Sequence, residues 1–296
     1  LIMLFKPKFI VQKREAKPGM GLTTAASLLA ISLIGTGLFY PYDASAGDVA
    51  NLPEANWVVE QVNKVPEGRQ SSSHLSMTLV DRRGKVRQRE TVSFRQYVGL
   101  EKQTVLYYVS PRNVKNTAFL IHDFAESERD DDQWLYLPAL RKARRISASD
   151  RGDYFLGTDF SYEDIKKEGK FEMADFSFKT LATETVAGKE LIKLEATPID
   201  KKTAKELGYG RQVIWVDRSN WIVVKAQYWD IKMNLLKTLN ISDVRKVEGI
   251  WTRHILKMEN HKTGHSSEFV FSNMNYNKPI KNSVFTRQAL SRGAPK

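Results

Sequence analysis

The 296-residue chain contains no cysteine. That excludes disulfides, thiolate zinc sites, iron–sulfur clusters, cysteine nucleophiles and a lipidated N-terminal cysteine. Acidic residues are scarce relative to bases, 34 against 46 Lys and Arg, leaving a formal charge of +12. The excess favours anionic partners without naming one. Proline and glycine, 10 and 17, stand at ordinary counts, so this is neither a collagen nor a low-complexity disordered chain. With 42% hydrophobic and 27% charged residues it is also neither a coiled-coil rod nor a polytopic membrane protein. Enzyme signatures are missing as well: there is no G-x-S-x-G elbow, no phosphate-binding loop, no dinucleotide fingerprint and no HExxH. The expectation is a non-enzyme without a cofactor, with a hydrolase of scattered residues as a rival.

Metal sites are not expected either. Glu126, Glu128, Asp130, Asp131 and Asp132 cluster, but without the spacing or glycine of a calcium-binding loop. His261 and His265 flank a Thr263-Gly264 turn, and His74, His122 and His254 are single histidines within strands.

Lys6, Lys8, Lys13, Arg14 and Lys17 precede an uncharged stretch, Gly21 to Tyr40, and then Ala44-Ser45-Ala46. A basic segment, an apolar segment and an A-x-A site read as a cleaved secretory signal peptide over residues 1–46. The mature chain, residues 47–296, is then expected as one domain. Export without cysteine fits a bacterial periplasm, and it removes the chain from nucleic acid.

Asp48 to Val65 is the one long helical candidate, with Val49, Leu52, Val58, Val59 and Val62 near a 3.6 period and Asp48 as its cap. Beyond Pro66 the period changes to two. Leu75, Met77 and Leu79 share a face, and a turn follows at Asp81 to Gly84. In the next strand Arg87, Arg89, Thr91, Ser93 and Arg95 take one face, and Val92, Phe94 and Val98 the other. Further runs lie at 103–109, 117–123, 133–137, 142–147, 178–185, 189–197, 212–217, 221–229, 235–247, 250–260 and 266–274. Ala187-Gly188, Arg218-Ser219-Asn220, Val247-Glu248-Gly249 and Lys262-Thr263-Gly264 separate several of them. Short helices are expected at 161–168 and 203–207, and a helical turn within 282–290. The reading is a mainly β protein of roughly eleven strands: a large antiparallel curled sheet or unclosed barrel with capping helices.

Such a sheet can enclose an apolar interior for a hydrophobic ligand, although a core filled by side chains produces the same alternation. The residues expected to line a cavity are Leu75, Met77, Leu79, Val92, Phe94, Trp134, Tyr136, Val213, Trp215, Phe269 and Phe271. Arg141, Lys142, Arg144 and Arg145 form the strongest basic run. It suits docking on lipid phosphates or an acidic partner face, or else a solvated strand edge that resists pairing with other chains.

Three segments, Trp134-Leu135-Tyr136-Leu137-Pro138, Arg141 to Ile146, and Gly157-Thr158-Asp159-Phe160-Ser161-Tyr162-Glu163-Asp164, resemble the signature of LolA-like outer-membrane lipoprotein-sorting proteins. The ending Val284-Phe285-Thr286, with Leu290 beyond, is similar to that family's. The likeness extends over essentially all of the mature chain. It implies an unclosed β-barrel closed by helices, a periplasmic home, and a cavity for the acyl chains of a lipoprotein or other lipid. It also implies partners: an outer-membrane acceptor or an inner-membrane RND-type exporter, the latter allowing an accessory or sensor role in place of carriage.

Overall fold

The hairpin turns account for the order of the strands. At the first, the Asp81 carboxylate accepts hydrogen bonds from the backbone N–H groups of Arg83 and Lys85 at 2.8 and 3.1 Å, while Gly84 adopts a φ of 80°. Ala187-Gly188 and Glu248-Gly249 each place two successive residues at positive φ, the geometry of tight two-residue hairpins.

The computed structural model describes residues 52–124 and 131–295. The strands are β1 (Gln70–Val80), β2 (Val86–Val98), β3 (Glu101–Ser110), β4 (Ala118–Asp123), β5 (Asp132–Leu137) and β6 (Lys142–Ile146). They continue with β7 (Phe176–Val186), β8 (Lys189–Pro198), β9 (Arg211–Asp217), β10 (Ile222–Trp229), β11 (Leu235–Val247), β12 (Ile250–Asn260) and β13 (His265–Asn275). The run counted as roughly eleven strands is thus a single 13-stranded sheet, ordered β6-β5-β4-β3-β2-β1-β13-β12-β11-β10-β9-β8-β7. Every pair is antiparallel. Two meanders meet where β1 pairs with β13, and the free edges are β6 and β7. The barrel is unclosed.

Among the described residues four short helices accompany the sheet: α1 (Ala55–Lys64), α2 (Tyr162–Lys167), α3 (Lys201–Leu207) and α4 (Arg287–Leu290). Helix α1 begins later than the sequence period suggests. Glu54 caps it, its carboxylate accepting from the N–H groups of Asn56 and Trp57 at 2.9 and 2.6 Å, whereas Asp48 lies outside the described residues. The signal peptide expected at 1–46 also lies outside them. Val58, Val59 and Val62 are buried as the period requires. Ser161 caps α2 in a reciprocal box: its hydroxyl accepts from the Asp164 N–H at 3.1 Å, and the Asp164 carboxylate accepts from the Ser161 N–H at 2.7 Å.

One cluster of apolar side chains fills the interior face. It joins α1 to Leu75 and Met77 of β1, Phe119 of β4, Ile192 of β8, Ile214 of β9 and Phe269 of β13. The connector from β6 to β7 belongs to it through Phe155, Phe160 and Tyr162, so this segment runs between the two free edges across the interior. On the opposite face two smaller clusters form. One places Phe285 and Leu290 over Val105, Tyr107 and Leu120; the other gathers Leu191, Val213 and Trp215. Strand β3 is consequently apolar on both faces, with Leu106 and Tyr108 inward and Val105 and Tyr107 outward.

Candidate functional site: an apolar cavity and its polar end

The eight-residue motif of the connector is what seats it on the sheet. The Asp159 N–H donates to Ser267 Oγ at 2.9 Å, and the Ser267 hydroxyl donates back to Asp159 Oδ2 at 2.6 Å. Phe160 stacks on Phe269, centroids 4.2 Å apart at 26°. Tyr162 packs against Phe119 and Phe155. Asp164, besides capping α2, accepts from Lys237 Nζ at 2.8 Å and from the Tyr209 hydroxyl at 3.3 Å. Lys237 is fully buried on β11; it also donates to the Asp159 carbonyl at 3.0 Å, and its Nζ lies 4.9 and 5.1 Å from the Tyr209 and Tyr228 ring centroids. Burial, the largest cause, holds both phenols well above their ordinary pKa.

Between this connector, α1 and the interior face lies a cavity of about 200 Å³. Its apolar lining includes Val62 of α1, Leu75, Leu106, Ile214, Leu239, Ile241, Phe269 and Phe271. That volume falls below the roughly 300–1,000 Å³ of typical small-molecule sites. A long chain would fit within it only if α1 or the connector moved.

One end of the cavity is charged. The Arg95 Nη1 lies 3.2 Å from Glu67 and 3.7 Å from Glu168, and its Nη2 donates to the Glu67 carbonyl. The Tyr97 hydroxyl donates to the Glu67 carboxylate. Burial alone would raise the Glu67 pKa; Lys102, Arg95 and Lys170 together, helped by Tyr97, outweigh it and hold the carboxyl down to about 2. Lys170 donates to the carbonyls of Val62, Asn63 and Val65 at 3.2, 2.7 and 2.7 Å, closing the C-terminus of α1. Burial, reinforced by Arg253, Lys102 and Arg95, brings its pKa down to about 8. Asn63 and Phe171 exchange two hydrogen bonds of 2.9 Å, clamping α1 to the connector. A polar depression of about 410 Å³ adjoins this end and shares Glu67, Lys167 and Lys170 with it.

The residues expected to line a cavity separate into four groups. Leu75, Phe269 and Phe271 line it. Met77 and Leu79 are buried but do not line it. Val92, Phe94, Trp134 and Tyr136 face the other way, into the cluster beneath Phe285 and Leu290, where Arg287 lies 4.1 Å over the Trp134 ring. Val213 and Trp215 sit in the second outer cluster; the Trp215 indole donates to Glu184 at 3.2 Å, and its ring lies between Lys193 and Lys225. The expectation for these last six is corrected, and register supplies the reason. Leu75 pairs with Thr91 and Met77 with Arg89, while Ser72 pairs with Phe94 and His74 with Val92. Directly opposed residues share a face. The polar face of β2 therefore turns inward, bringing Ser93 and Arg95 into the cavity wall.

Arg141, Lys142, Arg144 and Arg145 are exposed at and beside the edge strand β6, with Arg145 2.7 Å from Asp132. Of the acidic loop, Glu126, Glu128 and Asp130 lie outside the described residues, and Asp131 pairs with Lys166 at 2.5 Å. Sequence reasoning missed Lys237, Arg95 and Arg253 as interior cations. Parity offered one signal, since Lys237 shares its face with Leu239 and Ile241.

Comparison with known proteins supports this architecture. A family model described only as an uncharacterized protein matches residues 100–292. No curated protein matches the chain. A domain from Vibrio parahaemolyticus, described as an outer membrane lipoprotein-sorting protein, is 30% identical, with a TM-score of 0.72 over 80% of this chain and 98% of that one. A DUF1329 family protein from Desulfovibrio piger is 30% identical, with a TM-score of 0.71 over 79% of this chain and 96% of that one. A LolA superfamily protein from Nitrosomonas europaea shares the fold at 18% identity, with a TM-score of 0.61 over 80% and 99% of the two chains.

Proposed function

Because the chain belongs to the family of LolA-like outer-membrane lipoprotein-sorting proteins, we propose that it is a periplasmic carrier for the acyl chains of a lipoprotein or another lipid. The observation that carries this reading is the largely apolar cavity between the unclosed sheet, α1 and the connector, with the Arg95–Glu67–Lys170 cluster at one end. Transfer needs no covalent chemistry. An acyl chain leaving water contributes about 0.8 kcal/mol per buried methylene, and release requires only that the lid elements open again. The ion pairs of Arg95 with Glu67 and Glu168 join the segment after α1 to β2 and to the end of α2. Breaking them would remove one tie from each lid element, beside the Asn63–Phe171 and Lys237–Asp164 contacts that also hold them, and an open form lying a few kcal/mol higher would suffice for exchange.

The exposed basic side chains of β6 suit docking on an anionic membrane surface or on the acidic face of an acceptor or exporter. Among the described residues no helix is long and apolar enough to cross a membrane.

Native mass spectrometry of the purified mature protein, followed by solvent extraction, tests the proposal. The expected result is a stoichiometric lipid or lipopeptide that is lost when Leu75 or Phe271 is replaced by Asp, with Phe94→Asp as a comparison from the outer face. A protein that carries nothing and takes up no acyl probe, yet retains an inner-membrane exporter in a pull-down, would move the assignment to an exporter accessory.

A further inference from the structure

The charged side chains at the polar end are almost all satisfied from within the protein. Arg95 is shared between Glu67 and Glu168, Lys167 lies 3.1 Å from Glu172, and Lys170 is held by three carbonyls. Arg253 of β12 differs. It lines the cavity and is only partly exposed, yet among the described residues no carboxylate lies within 4.0 Å of it and nothing accepts its hydrogen bonds. Room is made for it: its guanidinium lies against Gly169, which adopts a φ of 84°, and a Cβ at that position would collide with Nη1. Leaving a guanidinium partly desolvated without a counter-charge is unfavourable, and an anion placed against it gains strong, directional hydrogen bonds.

Building on the carrier reading, we infer that the ligand is an anionic amphiphile whose alkyl chain occupies the apolar cavity and whose carboxylate or phosphate head is received by Arg253. The planar donor fork suits either oxyanion, and Phe271 and Leu256 of the same lining supply apolar wall. The guanidinium of Arg253, with no carboxylate within 4.0 Å among the described residues, disfavours a cationic head, and a neutral head gives it no counter-charge.

Isothermal titration of the purified protein with laurate, dodecyl phosphate and dodecanol tests this, because the three share one chain and differ in the head. Laurate, dodecyl phosphate or both should bind at least about tenfold tighter than dodecanol, as expected for hydrogen bonds to a charged group. The order of the two anions then identifies carboxylate or phosphate as the natural head. Arg253→Gln should bring both anions to within about twofold of dodecanol while leaving dodecanol affinity unchanged, which also certifies an intact cavity. Arg253→Lys, which keeps the charge but not the fork, should retain part of the preference. Equal binding of all three ligands by the native protein, or an anion preference that survives Arg253→Gln, overturns the inference while the carrier reading stands. Failure of every dodecyl ligand to bind overturns both.

Discussion

Lys237 shows how one residue can couple a connector to a sheet. It is fully buried, and its ammonium group meets the Asp164 carboxylate, the Asp159 carbonyl and the faces of Tyr209 and Tyr228. Removing one partner of a buried pair leaves the other charged and unpaired, typically at a cost of about 3–5 kcal/mol. Lys237→Met should lower the urea-unfolding free energy by about that amount, and adding Asp164→Asn should cost less than the sum of the two single changes. Additive losses would show that the two residues do not act as a pair. The same site makes the connector motif intelligible. Its apolar members Phe160 and Tyr162 pack inward, while Asp159, Ser161 and Asp164 meet partners at a sheet residue, a helix end and a buried lysine. The motif's residues stand in the sequence, but the partners of Asp164 and Asp159 on the sheet, Lys237 and Ser267, lie 73 and 108 positions away.

Among the elements, the lid is where pH should act. Glu67 follows α1 directly and is tied to β2 through Arg95 and Tyr97. Its carboxyl titrates at about 2 in the folded protein, below its ordinary 4.5. A depressed carboxyl stabilises the fold fully above pH 4.5, and that contribution is lost as pH falls from 4.5 towards 2. Glu67→Gln should therefore lower stability at neutral pH and flatten its decline across that window, as read from urea midpoints at successive pH values. An unchanged slope would mean that Glu67 does not hold the lid. Helix existence was legible, as the period of the α1 valines and the short helix expected at 161–168 show, whereas the Ser161–Asp164 box that caps α2 emerged only from the structure. The start of α1 was not, because the apolar period carries on past Glu54 while the carboxylate there satisfies the first free N–H groups.

At the scale of the whole molecule, the chain's last elements decide which surfaces are inside. Phe285 and Leu290 cover the outer face of β3 and β4, where Tyr107 donates its hydroxyl to the Val284 carbonyl at 3.2 Å and His122 meets the Phe285 carbonyl at 2.9 Å. Leu290→Ala should cost about 2–5 kcal/mol in urea unfolding, the range for an emptied core position. A loss within about 0.5 kcal/mol, the size of an ordinary surface change, would mean that this covering is peripheral. The sheet itself places its free edges at β6 and β7 and sends the connector between them, so the cavity wall is assembled from both meanders.

The strand positions, their turns and the connector motif were determined by the sequence, because alternation, glycine at positive φ and capping side chains are local physics. Which face of each strand turns inward was decided only by the tertiary structure. A period of two is symmetric: it divides Val92 and Phe94 from Thr91 and Arg95 without saying which pair looks at the core. The pairing of β2 with β1 and the covering of β3 and β4 by the C-terminal segment broke that symmetry, and they did so against hydrophobicity. Phe94 went outward because a second apolar layer waited there. Arg95 turned inward because Glu67 and Glu168, 28 and 73 residues away in the chain, could meet its charge.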